Sequence, residues 1–182
     1  LKWFADFRDP WTDISYHKNL NLTQKTQQKH LELERQVLNT SDHIIVTSLQ
    51  TKQLFSKITQ QPISVVTNGF DDENVSSIAL DSQFSLTHIG SLLDQRNPTL
   101  LWNVLSELIE ELPDFKANFQ LVLVGNVSVD VRRSIDSEGL KSYSKIVGSV
   151  AHNEAVIFQR KTQALLLIEA NTTEASYIIP GK

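Results

Sequence analysis

Three predicted strands in the second half of the chain each carry a glycine at or near the carboxyl end, and this recurrence constrains the fold more than any other feature. The strands are FSLTHIG, FQLVLVG and KIVGSV, and the glycines are Gly90, Gly125 and Gly148. A stretch that we expect to be helical follows each glycine, so short buried strands alternate with helices. That alternation predicts right-handed crossovers and a parallel sheet, with all three glycine turns at one edge.

The first half of the chain shows the same alternation. Residues 1–7, 42–48 and 62–71 are rich in β-branched or aromatic side chains and predict strands. Residues 23–40 carry an apolar stripe at helical spacing, and Ser48 is placed to cap a second, shorter helix. We therefore predict an α/β fold class with Rossmann-like parallel sheets.

A segment without clear periodicity separates the two halves. Residues 71–83, DDENVSSIALDSQ, are rich in aspartate and serine and predict a linker. After it, Asn97 is placed to cap a helix and Pro98 to fill the first helical position. The apolar face predicted for that helix consists of Leu100, Leu101, Val104, Leu105, Leu108, Ile109 and Leu112. A last apolar run, QALLLIEA at 163–170, predicts another buried strand.

Composition excludes several classes of protein. The formal net charge of −4 gives little electrostatic attraction for nucleic acid. Cysteine is absent, which excludes disulfides and thiolate chemistry, and no HExxH-type motif indicates a metal site. No apolar run approaches the ~20 residues of a membrane-spanning helix. The first residue is Leu1 and the sequence contains no methionine, so we expect a segment of a longer protein.

The glycine turns allow two interpretations. Strand-to-helix turns favour glycine whatever the function, but three such turns along one edge also suit a nucleotide or phosphate site. Neither the GxGxxG fingerprint nor a phosphate-binding loop with GK[ST] is present.

Arg96 is the most suggestive single side chain. It follows a predicted strand and lies just before a predicted helix N-terminus, in GSLLDQRNP. Backbone N–H groups at a helix N-terminus favour an anion, and a guanidinium can bind two phosphate oxygens at once. The alternative is an ordinary solvated loop arginine.

The segment DFRDPW places Asp6, Arg8 and Asp9 at a strand end between aromatic side chains. One interpretation is an internal Arg–Asp pair that stabilises a turn, with Trp11 covering the core. The other is a polar cluster that faces a cleft, with Asp9 or Arg8 contacting a substrate hydroxyl.

The ordered set DFRDPW, LERQVLNTSDHIIVTS, ISVVTNGFD, LTHIGSLLDQRNP, LVLVGNV, IVGSVAHNEA and ALLLIEA…SYIIPGK resembles retaining glycosyltransferases of the GT-B type. The resemblance is to glycosyltransferase family 4, and to bacterial members that build surface polysaccharides. It implies a partial two-domain architecture. Residues 1–70 would be the later part of an acceptor domain, 71–83 a linker, and 84–182 most of a truncated nucleotide-sugar-binding domain.

The resemblance also implies a donor site. Its nucleotide-binding residues would be Gly90, Ser91, Gly125, Gly148, Ser149 and Val150. Arg96 would hold the diphosphate, with Lys182 as the second cation, because Ser91 stands where the family usually has an arginine. Asp9 or Arg8 would be a polar residue that the acceptor domain places in the cleft. The family's earlier donor-site acid has no clear match, with Glu169 and Glu174 as nearby candidates, and its later one would lie beyond Lys182.

The implied reaction transfers a sugar from a nucleotide-diphosphate sugar to a glycan or lipid-linked acceptor with retention, without a metal or other cofactor. We expect a cytoplasmic protein that binds no nucleic acid, with peripheral association at the inner face of the plasma membrane as an option for a full-length enzyme. The segment alone is expected to be inactive. The alternatives are a GT-B sugar-nucleotide 2-epimerase, for which only Asp9, His88 and His152 could serve as acid or base, and a non-catalytic nucleotide-binding module. His88 is otherwise expected in the core, and His152 as a helix cap.

Overall fold

The computed structural model describes residues 1–14, 17, 20–69, 77–170, 172, 175 and 177. Within these, residues up to 69, together with Thr172, Ala175 and Tyr177, form one compact unit, and residues 77–170 form a second. Both are α/β units with parallel sheets, which confirms the predicted fold class.

The first unit contains a three-stranded parallel sheet in the order β1-β2-β3. Its elements are β1 (Phe4–Phe7), α1 (Gln24–Thr40), β2 (His43–Val46), α2 (Leu49–Phe55) and β3 (Ile63–Val65). The core consists of Leu38, Ile44, Val46 and Phe55. Ser48 caps α2 as predicted, because its hydroxyl accepts from the N–H of Thr51. The Ser48 hydroxyl also donates to the carbonyl of Tyr177 at 2.9 Å, so this residue, assigned by sequence to the second domain, contacts the first unit.

The second unit contains a four-stranded parallel sheet in the order β6-β5-β4-β7. Its strands are β4 (Phe84–Ile89), β5 (Phe119–Val124), β6 (Ser144–Gly148) and β7 (Ala164–Leu165). Its helices are α3 (Thr99–Glu111), α4 (Pro113–Asn118), α5 (Val129–Ser137) and α6 (His152–Lys161), with short 3-10 turns at Asp94–Arg96 and Lys141–Tyr143. Its core is centred on the buried side chains of Leu92, Trp102, Leu105, Leu121, Leu123, Val131 and Ile135.

The predicted start of α3 was wrong by one position. Pro98 is the N-cap, without a side-chain capping bond, and Thr99 is the first helical residue. Asn97 lies outside the helix, where its side chain bonds to Trp102 and Ser134 instead of capping the first turn.

The predicted apolar face of α3 was also wrong in part. Trp102, Leu105 and Ile109 are buried, whereas Leu100 is 76% exposed and Leu112 is 47% exposed. Trp102 is the bulkiest apolar side chain on the helix, and its burial sets which face points to the core.

The last predicted strand is shorter and less buried than expected. β7 spans only Ala164–Leu165 and pairs with β4 alone. Leu165 and Leu167 are more than half exposed, while Ile168 is buried and Leu166 packs on the core. The run therefore alternates in burial, as expected of a strand with one face on the core and the other exposed rather than one covered on both faces.

The predicted linker at 71–83 lies partly outside the described residues, and its role stays a prediction. Within 77–83 there is no helix or strand. The backbone N–H of Asp81 donates to the carbonyl of Lys161 at 2.7 Å, and Gln163 donates to the carbonyls of Asp81 and Gln83. Residues 81–83 therefore pack on the second unit.

Candidate functional site

The three glycine turns lie side by side at the carboxyl edge of the second unit's sheet, as the strand pattern predicted. The N–H of Gly90 donates to the carbonyl of Val124, and the N–H of Gly125 donates to the carbonyl of Gly148, both at 2.8 Å. The inter-strand hydrogen bonds thus continue beyond the last residues of β4 and β5. This edge is where ligands bind in parallel α/β sheets.

Gly125 is constrained both by its backbone conformation and by its neighbours. Its φ of +121° is a backbone conformation that side-chain-bearing residues rarely adopt. A Cβ atom there would also lie 2.4 Å from the carbonyl oxygen of Gly90. Both the backbone conformation and the close approach of the two turns therefore require glycine.

A cleft of about 370 Å³ opens above these turns. Its lining residues come from the ends of three strands and from the start of α6, and they are Ile89, Gly90, Ser91, Val124, Gly125, Asn126, Ser149, Val150, His152 and Ala155. Five of the six residues predicted for nucleotide binding line it. The sixth, Gly148, contributes through its hydrogen bond to Gly125. Sequence reasoning missed Asn126 and Ala155, although Asn126 directly follows one of the predicted glycines. It considered His152 as a helix cap or as an acid or base of a 2-epimerase, and the capping prediction was wrong because Ala151 is the N-cap.

Among the described residues, the lining of this cleft carries no lysine or arginine. His152 is the one titratable residue in the described part of this lining, and it is the first residue of α6. The N-cap of that helix, Ala151, has no side-chain acceptor, so the first N–H groups of α6 have no acceptor within the helix. The negative charge of Glu154, in the same turn, disfavours binding of an anion there. An anion bound there would depend on backbone N–H groups and on cations brought from outside the lining.

Arg96 lies near this edge but not in the cleft lining. It is the last residue of the 3-10 turn Asp94–Arg96, and its side chain is exposed. None of the described residues forms a hydrogen bond or ion pair with its guanidinium, so the charge is available to a ligand. Its role as a phosphate ligand stays a prediction.

The backbone beside Arg96 is firmly anchored. The Asn97 side chain accepts from the buried indole N–H of Trp102 and donates to the hydroxyl of Ser134, both at 2.8 Å. These hydrogen bonds attach the end of the turn to α3 and α5, and the exposed arginine side chain lies next to this attachment.

The first unit has a cavity of its own, of about 520 Å³, at the carboxyl end of β1. Asp6, Arg8, Asp9 and Trp11 of the segment DFRDPW all line it. Arg8 is held by the amide oxygen of Asn68 at 2.6 Å and by the carboxylate of Asp6 at 3.4 Å. The internal Arg–Asp pair is therefore present, formed with Asp6 rather than Asp9. The carboxylate of Asp9 has no hydrogen bond or ion pair with any described residue.

Other predicted site residues are placed apart from the second unit's cleft. His88 is fully buried and its Nδ1 is 3.0 Å from the carbonyl oxygen of Leu166, which fits the core role expected for it. Glu169 is exposed and outside the cleft lining. Lys182 and Glu174 lie outside the described residues. Across the part of the chain that the structure describes, no three potential ligands cluster to hold a metal ion.

Neither a protein-family model nor a curated protein sequence matches the chain. Several solved structures do match the chain. WaaG, a glycosyltransferase involved in lipopolysaccharide biosynthesis, matches with a TM-score of 0.62 at 13% identity, over 95% of this chain and 54% of WaaG. Sucrose-phosphate synthase from Thermosynechococcus elongatus matches with a TM-score of 0.59 at 15% identity, over 91% of this chain and 44% of the synthase. Anabaena HepE, in complex with UDP and glucose, matches with a TM-score of 0.56 at 14% identity, over 90% of this chain and 45% of HepE.

These similarities establish the fold: it is that of GT-B glycosyltransferases, of which the chain spans about half the length. Among the described residues, no helix is long and apolar enough to cross a membrane.

Proposed function

We propose that the chain is part of a retaining GT-B glycosyltransferase, and that its second unit binds the nucleotide-diphosphate sugar. The observation that carries the proposal is the cleft at the carboxyl edge of that unit's sheet, which is lined by glycine turns and by the N-terminus of α6. The complex of HepE with UDP and glucose supports a nucleotide-sugar donor for a chain of this fold.

The glycine turns would let the nucleotide approach the backbone, and Ser149 and Val150 would contact the base. In the reaction, the bond between the anomeric carbon and the phosphate oxygen breaks, and its electron pair stays with the leaving diphosphate. A new bond forms from the acceptor oxygen to the same face of the anomeric carbon, and the acceptor proton passes to an oxygen of the leaving diphosphate. Arg96 and the N-terminus of α6 would stabilise the charge that develops on the diphosphate, and Lys182 would supply the second cation. No metal is required in this scheme.

We further propose that the acceptor belongs to a polysaccharide or glycoconjugate, and that the protein works in the cytoplasm of a bacterium at the inner face of the plasma membrane. These statements rest on the resemblance in sequence order and on the named functions of proteins with this fold, such as WaaG.

Nucleotide titration of the 182-residue chain tests the donor site. UDP, GDP and ADP are titrated by calorimetry, with UMP and inorganic pyrophosphate as probes of the phosphate and base contributions. We expect one nucleoside diphosphate to bind and Arg96→Ala to weaken it about tenfold or more, as expected for loss of a charge-assisted contact. Arg133→Ala removes a surface arginine that pairs with Asp130, and serves as the matched control. Absence of binding by all three nucleotides would refute the donor site.

Product analysis tests the reaction. A full-length protein that contains this chain is incubated with a labelled nucleotide sugar and candidate acceptors. A labelled glycoside with retained anomeric configuration supports the proposal. An epimerised nucleotide sugar would identify a 2-epimerase, and binding without any product would indicate a non-catalytic nucleotide-binding module.

A further inference from the structure

Two histidines in the cavity of the first unit form a pair with defined hydrogen-bonding capacity. His17 Nε2 and His30 Nδ1 are 3.0 Å apart, and both residues line the cavity. When both rings are neutral, one nitrogen of this contact donates and the other accepts. The two remaining nitrogens, His17 Nδ1 and His30 Nε2, then offer one donor and one acceptor, whichever tautomer is present. A sugar hydroxyl, which both donates and accepts, complements such a pair.

Trp11 and Asp9 provide the other two contacts typical of a site for a sugar ring. Trp11 offers a large, rigid apolar surface with a polar N–H, and it packs beside His30 with ring centroids 5.7 Å apart. Asp9 is half-buried, and none of the described residues uses its carboxylate, which can accept hydrogen bonds from two hydroxyls. An apolar surface with a few well-placed polar groups is the usual composition of a small-molecule site.

The segment that carries these side chains is held by a buried carboxylate. Glu34 on α1 is only 3% exposed. Its carboxylate accepts from the N–H of Trp11 at 2.9 Å, from the N–H of Thr12 at 3.1 Å and from the hydroxyl of Thr12. On the other side, the hydroxyl of Thr47 donates to the carbonyl of Arg8 at 2.7 Å. The loop after β1 is therefore fixed at both ends before any ligand arrives, which lowers the entropic cost of binding.

We propose that this cavity binds a pyranose ring, with Trp11 as the contact surface and with Asp9 and the His17–His30 pair as hydroxyl ligands. The inference rests on the proposed function and deepens it: the acceptor hydroxyl belongs to a sugar rather than to a peptide side chain or a lipid. The volume of about 520 Å³ lies within the range of small-molecule sites. The charged residues of the lining disfavour an acyl chain, because burying charge against hydrocarbon is costly.

Saturation-transfer NMR on the 182-residue chain tests the proposal. The probes are the methyl glycosides of glucose, galactose, mannose and N-acetylglucosamine, with a serine-containing tripeptide and a short-chain lysolipid as competing classes. We expect saturation of ring protons for at least one glycoside. Trp11→Leu should weaken that glycoside's binding about fivefold or more, as expected for loss of an aromatic contact. Trp3→Leu makes the same change at an exposed tryptophan of the same unit, outside the cavity lining, and should have no effect.

A second variant keeps the result interpretable if Trp11→Leu disturbs folding. Asp9→Asn removes only a carboxylate that bonds to no described residue, so the chain should fold normally and still bind the glycoside less tightly. The proposal is overturned if no glycoside of the panel binds, if both variants bind as the parent does, or if the tripeptide or lysolipid binds in place of the glycosides. UDP added to the same sample reports on the second unit separately. Nucleotide binding without glycoside binding would refute the sugar subsite and leave the donor site supported. Glycoside binding without nucleotide binding would refute the donor site and leave the sugar subsite supported.

Discussion

The carbonyl oxygen of Gly90 would lie 2.4 Å from the first side-chain carbon of any residue that replaced Gly125. Two strand-end turns are thus in direct backbone contact, with no side chain between them. This contact brings the ends of β4 and β5 together at the floor of the cleft. A substitution at Gly125 should therefore disturb both the fold of the second unit and its proposed nucleotide binding.

Gly125→Ala should destabilise the second unit strongly. The new methyl group would meet backbone that cannot rotate away, and alanine would have to adopt the glycine's φ of +121°. We expect a loss of about 3 kcal/mol in the free energy of unfolding, measured by urea denaturation. Gly139→Ala is the control, since Gly139 also has a positive φ of +70° but has no neighbouring atom within 4 Å of an added Cβ. Its expected cost is only about 1 kcal/mol. Equal losses for the two variants would show that the close approach to Gly90 adds nothing to the free-energy cost of the substitution.

Asn97→Ala should destabilise the turn that carries Arg96. The indole N–H of Trp102, a fully buried residue, would lose its acceptor, and we expect a cost of about 2 kcal/mol for the unpaired donor. Asn103→Ala, at an exposed position of the same helix, is the control and should change stability by less than about 0.5 kcal/mol. Urea denaturation gives the stability, and UDP titration shows whether the loosened turn also weakens binding. A variant as stable as the parent would contradict this account of Asn97.

Much of the fold follows from features that act over a few residues. The β-branched runs, the glycines after them and the cap at Ser48 are all local. The structure places a strand in each β-branched run and the cap at Ser48, although β3 ends at Val65 and residues 66–69 of the strand predicted over 62–71 are not in a strand. The parallel order of the strands follows because each crossover contains a helix. Three cleft residues were predictable from the strand pattern, since Gly90 and Gly125 end predicted strands and Ser91 directly follows one. Ser149 and Val150 were implied by the family resemblance.

The features that the sequence did not predict depend on side-chain contacts that no local pattern marks. Asn97 looks like a helix cap by its position, yet Trp102 and Ser134 determine where its side chain points. The face of α3 depended on which side chain fits the core, and periodicity alone does not rank Trp102 above Leu100. The His17–His30 pair and the contacts of Glu34 join residues 13 to 23 positions apart, and no local pattern marks them.

Glu34→Ala should cost more stability than its mid-helix position suggests. Two backbone N–H groups and the Thr12 hydroxyl would lose their acceptor, and we expect a loss of about 3 kcal/mol. Glu34→Gln keeps one oxygen acceptor and should cost about half as much. Glu32→Ala changes an exposed glutamate of the same helix and should stay within about 0.5 kcal/mol of the parent. Amide chemical shifts of Trp11 and Thr12 should move only in the Glu34 variants, and unmoved shifts there would refute the positioning role.

Arg96→Ala should lower turnover by orders of magnitude in a full-length protein that contains this chain. The guanidinium is proposed to stabilise charge that develops on the leaving diphosphate, an interaction that strengthens in the transition state. The fold should persist, because the side chain is exposed and makes no hydrogen bond or ion pair with the described residues. Steady-state kinetics with Arg133→Ala as the control give the measurement. Turnover within about threefold of the parent would exclude Arg96 from the proposed site.

Ser91→Arg offers a gain-of-binding test of the donor site. Ser91 is exposed, lines the cleft beside Gly90, and occupies the position where the resembled family usually carries an arginine. A guanidinium there would add a cation to a lining whose described residues include no lysine or arginine. We expect UDP affinity to rise about threefold to tenfold at low ionic strength, and the gain to shrink as salt screens the charge. Ser91→Gln adds length and hydrogen-bonding capacity without charge, and should leave the affinity nearly unchanged. If the arginine variant binds UDP no better than the glutamine variant at any salt concentration, the diphosphate does not lie beside Gly90.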